Sequence, residues 1–353
     1  MQIRDRARSP VRKLAAIAAA FLALGLGLPI ATPSEAASGT LEEVRKRGHV
    51  SCGVGDKLGG LSRLGPDGSW TGMEVEFCQA VAAAVLGDKS AVRFRPVNSS
   101  DRFVVLTSGD IDVLLRATGD TFSREADLGV RFAGVLLHDG QGFLVKRAVA
   151  VSSVLELSGA SICVQSGTAG AIGIEDYFKA RQMRFTLVER DKWDELIRAY
   201  NTDVCTLLTS DASLLAIERS QQPDPAAHIL LPEVITHELL GPVVRQGDDP
   251  WFTIVRWTLM ALIEAEELGL TRENIDTLRE TGGYGIRRFL GVEASLGQSL
   301  GLAPDWTYQI VKQVGHYGEM FDRNLGANSP FKLARGLNDL WSRGGILLPA
   351  PFR

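Results

Sequence analysis

Apolar residues in this chain fall into short strand-like runs separated by stretches with a helical period, and the order of those runs repeats. Residues 40–47 have the charge spacing of a short helix that Gly48 ends. Residues 49–54 form a strand, and 55–72 a Gly-rich loop with a turn at Pro66-Asp67-Gly68. In 73–86, Phe77, Val81 and Val85 recur at helical spacing as far as Gly87. A second strand follows at 92–96. Ser99-Ser100-Asp101 stand where a cap belongs for a helix over 102–108, and 111–115 is a third strand. Strands alternating with helices of this length predict parallel strands with right-handed crossovers.

Two strand-like runs, 132–137 and 142–145, surround Asp139-Gly140, and then the pattern restarts. Ser153 and Glu156 have the spacing of a capping box. Next come a strand at 161–165, a small-residue loop at 166–170, a helix at 172–180, a strand at 185–188, a helix at 192–200, a strand at 204–209 and a loop carrying Asp211. The same round thus occurs twice, each time from a Cys-bearing strand, which predicts two lobes. Residues 228–231 continue the second lobe and 241–245 lead out of it. From 248 the chain turns helical: Asp249 stands as a cap, Pro250 suits the first turn, and 251–268 is amphipathic. Further helices are predicted at 272–280, 305–314 and 337–341, with Trp251, Trp257, Trp306, Tyr308, Tyr317 and Trp341 at helical spacing and assigned to the core. The expected organisation is a signal peptide at 1–36, a first lobe at 37–145, a second lobe at 146–243 and a helical segment at 244–353 packing back on the first lobe. The chain then crosses between lobes twice, near 142–147 and 241–246.

A length of 353 residues suits two domains, and 45% hydrophobic with 23% charged residues describes a globular protein. Arg4, Arg6, Arg8, Arg12 and Lys13 precede an apolar run at 14–31, and Ser34-Glu35-Ala36 supplies small residues at a cleavage site. Gly25, Gly27 and Pro29 interrupt the run, which favours a cleaved signal peptide over a membrane anchor and an exported mature chain, which the family resemblance given below places in the periplasm. Removing 1–36 takes away five basic and two acidic groups, so the formal charge of −4 becomes −7. An acidic exported protein is a poor partner for nucleic acid. The four cysteines allow three pairings; their places on the predicted elements favour Cys52 with Cys78 and Cys163 with Cys205, buried free thiols being the alternative. Their spacing is not that of a zinc site, Gly53, Gly55 and Gly59 miss the dinucleotide spacing, and no nucleophile elbow or phosphate loop is found, so no metal or cofactor is expected.

Ligands of open parallel sheets bind beyond the carboxyl ends of the strands. Three loops lie there: Thr118, Gly119 and Asp120 onward to Arg124; Ser166, Thr168 and Ala169; and the loop at Asp211. Arg124 offers a planar fork for a carboxylate, unless it is a plain surface arginine. Ser166 to Thr168 form either an anion site at a helix start or a simple capping turn. Asp211 either receives an ammonium group or caps the next helix. A carboxylate holder and an ammonium holder on facing lobes suit an amino-acid zwitterion.

The stretches MEVEFCQAVAAAVLGD, SSDRFVVLTSGDIDVL, HDGQGFLV, ICVQSGT, GPVVRQGDDPWFTIVRWTL, AEELG, FKLARGLNDLW and GGILLPAPFR span nearly the whole mature chain. With them the sequence resembles the periplasmic solute-binding proteins of ABC amino-acid importers, solute-binding protein family 3, most of all the general L-amino-acid-binding type. The resemblance implies an α/β, two-lobed type II periplasmic-binding-protein fold, each lobe a mostly parallel sheet flanked by helices, with a helical C-terminal extension. It further implies a monomer that binds its ligand in the interlobe cleft, closes on it and docks on an ABC permease. By the same resemblance Arg124 matches the carboxylate arginine, Thr168 a carboxylate donor and Asp211 the acid for the α-amino group. The chain departs from the family at Gly119 and Asp120, where a Thr and an aromatic are usual, at Ala169, where a second Thr is usual, and at Thr206, where an acid is usual. Asp120 brings a negative charge to the loop that ends at Arg124, and at short range it can pair with that arginine and compete with a ligand carboxylate. Two other functions fit the fold: a sensory or degenerate binder with altered ligand, and an enzyme of dehydratase or glycan-hydrolase type, which needs a second acid beside Asp211.

Overall fold

The computed structural model describes residues 39–353; the signal peptide expected at 1–36 lies outside them. The first round of the chain comprises α1 (Thr40–Arg47), β1 (Val50–Val54), a small meander of β2 (Lys57–Leu58), β3 (Ser62–Leu64) and β4 (Trp70–Thr71), α2 (Met73–Leu86) and β5 (Val92–Pro96). It continues with α3 (Arg102–Thr107), β6 (Val113–Leu115), α4 (Phe122–Asp127), β7 (Val130–Phe132), β8 (Leu137–Asp139) and β9 (Gln141–Lys146). The second round holds β10 (Ala160–Gln165), α5 (Gly170–Ala180), β11 (Phe185–Arg190), α6 (Trp193–Asn201), β12 (Leu207–Asp211), α7 (Ala212–Gln221), β13 (His228–Leu230), β14 (Glu238–Leu240) and β15 (Val243–Arg245). Helices α8 (Asp249–Glu267), α9 (Ile275–Thr281), α10 (Tyr284–Phe289), α11 (Trp306–Gln313) and α12 (Tyr317–Asn324) complete it.

The two sheets share one layout. Their strand orders are β5-β1-β6-β15-β7 and β11-β10-β12-β9-β13. In each, the first three strands are parallel, and the fourth runs antiparallel to them. That fourth strand always follows a passage between the sheets: β9 enters the second, β15 re-enters the first. The two passages are neighbours, because β8 and β14 pair antiparallel with Leu137 opposite Leu240 and Asp139 opposite Glu238. Two adjacent strands of this kind form a hinge. The run expected to end the first lobe at 145 therefore belongs to the second sheet: β9 is apolar and buried nearly throughout, a pattern that fits a central strand of either lobe.

Several local expectations shift for identifiable reasons. The strand expected at 132–137 is cut by Gly134, whose φ of 125° no other residue type adopts readily. Asp101 spends its carboxylate on the Asn98 amide, at 2.8 Å, instead of capping α3. Asp248, not Asp249, caps α8: it accepts from Trp251 N at 3.1 Å and, through its second oxygen, from Thr40 N at 2.7 Å. Left-handed glycines Gly336 and Gly344 reduce the helix expected at 337–341 to two 3-10 turns. The C-terminal helices do pack on the first lobe, α8, α11 and α12 all resting on α2. Trp251, Trp306 and Tyr317 are buried there, whereas Trp341 is exposed. Phe352 closes this core edge-on to Trp257 and Phe289.

Both expected disulfides are present. Cys52–Cys78 joins the first strand to its helix with Cα atoms 6.3 Å apart, and Cys163–Cys205 ties β10 to the approach of β12 at 5.6 Å. The second bridge closes a loop of 42 residues, so replacing both of its cysteines by alanine should lower the unfolding free energy by about 2–4 kcal/mol. Urea denaturation of the double variant at fixed pH measures this; an unchanged midpoint would remove the bridge from the stability of the second lobe.

Candidate functional site

The first wall of the cleft is set where β6 ends. Ala117 adopts a φ of 41°, a strained value for a residue with a side chain. Its amide is held by the buried carboxylate of Glu74 at 2.6 Å, whose other oxygen takes the Ser62 hydroxyl at 2.8 Å. Burial pushes the Glu74 carboxyl upward, and the Ala117 amide, the Ser62 hydroxyl and Arg116 pull the other way. This anchor fixes the loop from Arg116 to Gly119, and Thr118 spends its hydroxyl inside it on the Arg116 carbonyl at 3.1 Å. Arg116 itself is held through Nε to the Val97 carbonyl at 3.2 Å.

Arg124 sits in the first turn of α4, capped by Thr121, and donates from Nη1 to the Gly119 carbonyl at 2.5 Å. Its guanidinium carbon and that of Arg102 lie 5.5 Å and 4.9 Å from the Phe103 ring centroid. Three guanidiniums thus crowd one wall. Burial depresses the pKa of each, and like-charge repulsion from Arg116 and Arg124 depresses Arg102 further.

The facing wall carries the acids. Asp211 is the last residue of β12, opposite Gln141 of β9. It precedes α7 but makes no side-chain cap, and its carboxylate accepts no hydrogen bond from any described residue. The residue keeps an opening on the cleft, yet enough protein surrounds the carboxyl to push it well above its ordinary range, with Asp139 and Glu238 repelling in the same direction and Arg116 opposing. Asp139 is locked by Ser213, hydroxyl and amide, and by the Gly140 amide at 2.8 Å. Glu238 accepts from Thr236 at 2.9 Å, and its other oxygen lies 2.6 Å from where a Cβ on Gly119 would be. A threonine at 119 would strike it.

Five expected residues therefore meet in one cleft: Gly119, Arg124, Thr168, Ala169 and Asp211, around about 520 Å³ of space that includes the open mouth. Three do not line it. Thr118 is turned inward, Asp120 is exposed, and Ser166 gives its carbonyl to the Ser99 hydroxyl of the other lobe at 2.7 Å. The Asp120–Arg124 pair is absent; the acid acting most strongly on Arg124 is Glu238, because the hinge strand β14 brings it across Gly119. Thr168 donates to the Gln165 carbonyl at 2.7 Å and accepts from the Gly170 amide at 3.3 Å, so here its hydroxyl serves a capping turn. Lining residues not foreseen include Arg102, Arg116, Gln141 and Glu238. For Arg116 a signal existed: like Asp211, it stands directly at the end of an apolar strand.

Two α/β lobes of equal topology, joined by paired strands and lined by opposite charges, define a type II binding protein. Residues 51–273 match the bacterial extracellular solute-binding proteins, family 3, and the chain belongs to that family. It is similar to the general L-amino acid-binding periplasmic protein AapJ of Rhizobium johnstonii, 46% identical over 96% of this chain and 98% of the relative. The glutamate/glutamine/aspartate/asparagine-binding protein BztA of Rhodobacter capsulatus is 42% identical over 90% of this chain and 94% of its own length. Among solved structures, a periplasmic binding protein from Brucella ovis with glutathione bound superposes with a TM-score of 0.87 at 43% identity, covering 90% of this chain and 100% of that one.

The unpartnered Asp211 gives a stability test. Its native carboxyl is raised, so ligand-free protein loses stability as pH climbs from the ordinary carboxylate range through that raised value. Asp211→Asn removes this loss. The variant should match the wild type near pH 4 and exceed it by about 1–3 kcal/mol at pH 7, read by thermal unfolding; a pH-independent difference would count against a buried, unpaired charge.

Proposed function

We propose that this protein is a periplasmic receptor, exported by the segment at 1–36, that captures an amino acid or related zwitterion between its lobes and delivers it to an ABC permease. The observation that carries the reading is the separation of charge across the cleft. Guanidiniums occupy one wall, and an acid without a hydrogen-bond donor occupies the other. A zwitterion laid between them satisfies both at once: Arg124 takes the α-carboxylate, Asp211 the α-ammonium, and the Thr168 turn borders the carboxylate. The amino-acid ligands in the names of the relatives support a ligand of this class.

Lobe closure follows from the same groups. Ser99 to the Ser166 carbonyl, Arg102 to the Gly167 carbonyl at 3.2 Å and Lys57 to Asp194 at 2.8 Å already bridge the lobes. A ligand gripped from both sides adds to the closed state only, and so raises its population. We read the chain as a monomeric binder and not an enzyme. A second reading, a binder with altered ligand, draws on Glu238, whose carboxylate stands beside Arg124 where a ligand carboxylate belongs.

Thermal-shift titration of the mature chain against the amino acids, amines and small peptides tests the reading. At least one amino acid should raise the melting point saturably without product formation. Arg124→Ala should cost that ligand about 2–4 kcal/mol by leaving its carboxylate buried and unpaired. An affinity untouched by the substitution would remove Arg124 from the site, and release of product would make the protein an enzyme.

A further inference from the structure

Arg102 is poorly provided for by its own protein. It is 1% exposed, yet Nε and Nη1 have no hydrogen-bond partner among the described residues, and only Nη2 is used, on the Gly167 carbonyl. Arg116 beside it is 6% exposed and bonded through Nε alone. Neither forms an ion pair with a described acid; Glu74 and Asp211 act on Arg116, and Asp211 and Asp101 on Arg102, only at a distance. A guanidinium taken out of water and left unpaired is unfavourable, more so beside a second one. Arg124 differs, having the Gly119 carbonyl and the neighbouring Glu238. One α-carboxylate at Arg124 therefore leaves the donors of the other two arginines unanswered.

We infer that Arg102 and Arg116 form a second anion subsite, and that the physiological ligand is a zwitterion bearing a second carboxylate, either a dicarboxylic amino acid or a γ-glutamyl peptide. The inference rests on the receptor reading above and narrows it. Arg116 and Gln165 line not only this cleft but an adjoining polar chamber with Lys57, Asn98, Lys192 and Asp194, so the wall continues past the first compartment. The second carboxylate completes the hydrogen bonding of Arg102 and divides the positive charge of the wall between two anions.

The test is isothermal titration of the mature chain with L-glutamate, L-glutamine and glutathione. Glutamate and glutamine have nearly the same shape and differ in the charge of the side-chain terminus. At least one of the two dicarboxylates should bind more than about tenfold tighter than glutamine. Tighter glutamate assigns the subsite to a side chain, and tighter glutathione assigns it to a peptide tail. Arg102→Met should bring the ratio of the preferred dicarboxylate to glutamine close to one, losing more affinity for the dicarboxylate than for glutamine. Arg102→Lys, which keeps the charge and loses the planar group, should retain part of the preference. Thermal unfolding checks that each variant is folded; should Arg102→Met not fold, the wild-type ratio and Arg102→Lys decide. Glutamine bound as tightly as both dicarboxylates, or all three weakened by one factor in Arg102→Met, overturns the second subsite and leaves the receptor reading intact. A wild type silent toward these three and toward the whole amino-acid panel overturns both.

Discussion

Asp211 is kept apart from the three cleft guanidiniums, and the rest of the site depends on that separation. Arg102, Arg116 and Arg124 stand on one wall and Asp211 on the other, each buried enough to disfavour its ionised form. Direct pairing would neutralise them, but they belong to different sheets held apart by the paired strands β8 and β14. Stability is thereby given up in favour of a polarised gap, a common arrangement at functional sites. Glu74 shows what the alternative looks like. It is as buried as the arginines but fully engaged with Ser62 and Ala117, and its role is to hold a loop in a strained conformation.

Much of the fold was legible because the local signals agree with each other. α2 runs from Met73 to Leu86 as its apolar period predicts, and Gly87 ends it in the left-handed conformation. The repeated order of strands and helices announced two lobes, and the cysteines fell on elements that place them within reach of one another. Misreadings cluster where several residues could make the same bond. Asp248 and Asp249 are adjacent acids at one helix start, and nothing in their order shows that the amide of Thr40, far away in the chain, selects the first.

The site was legible in part for a related reason. Asp211 ends β12, so its position follows from the sheet, and Arg124 lies in the first turn of the helix that follows β6. Arg102 opens helix α3 and Glu238 arrives on the hinge strand, so both depend on tertiary placement. The space that a side chain at 119 would enter holds the carboxylate of Glu238.

The chain enters and leaves the second sheet through β8 and β14, whose facing residues lie about 5 Å apart. To the remainder of the protein that lobe is an insertion with its two ends nearly touching. Its covalent links to the body therefore lie side by side at one place. The wall bearing Asp211 is thus carried on one continuous stretch of chain, and the wall bearing the arginines stays with the body.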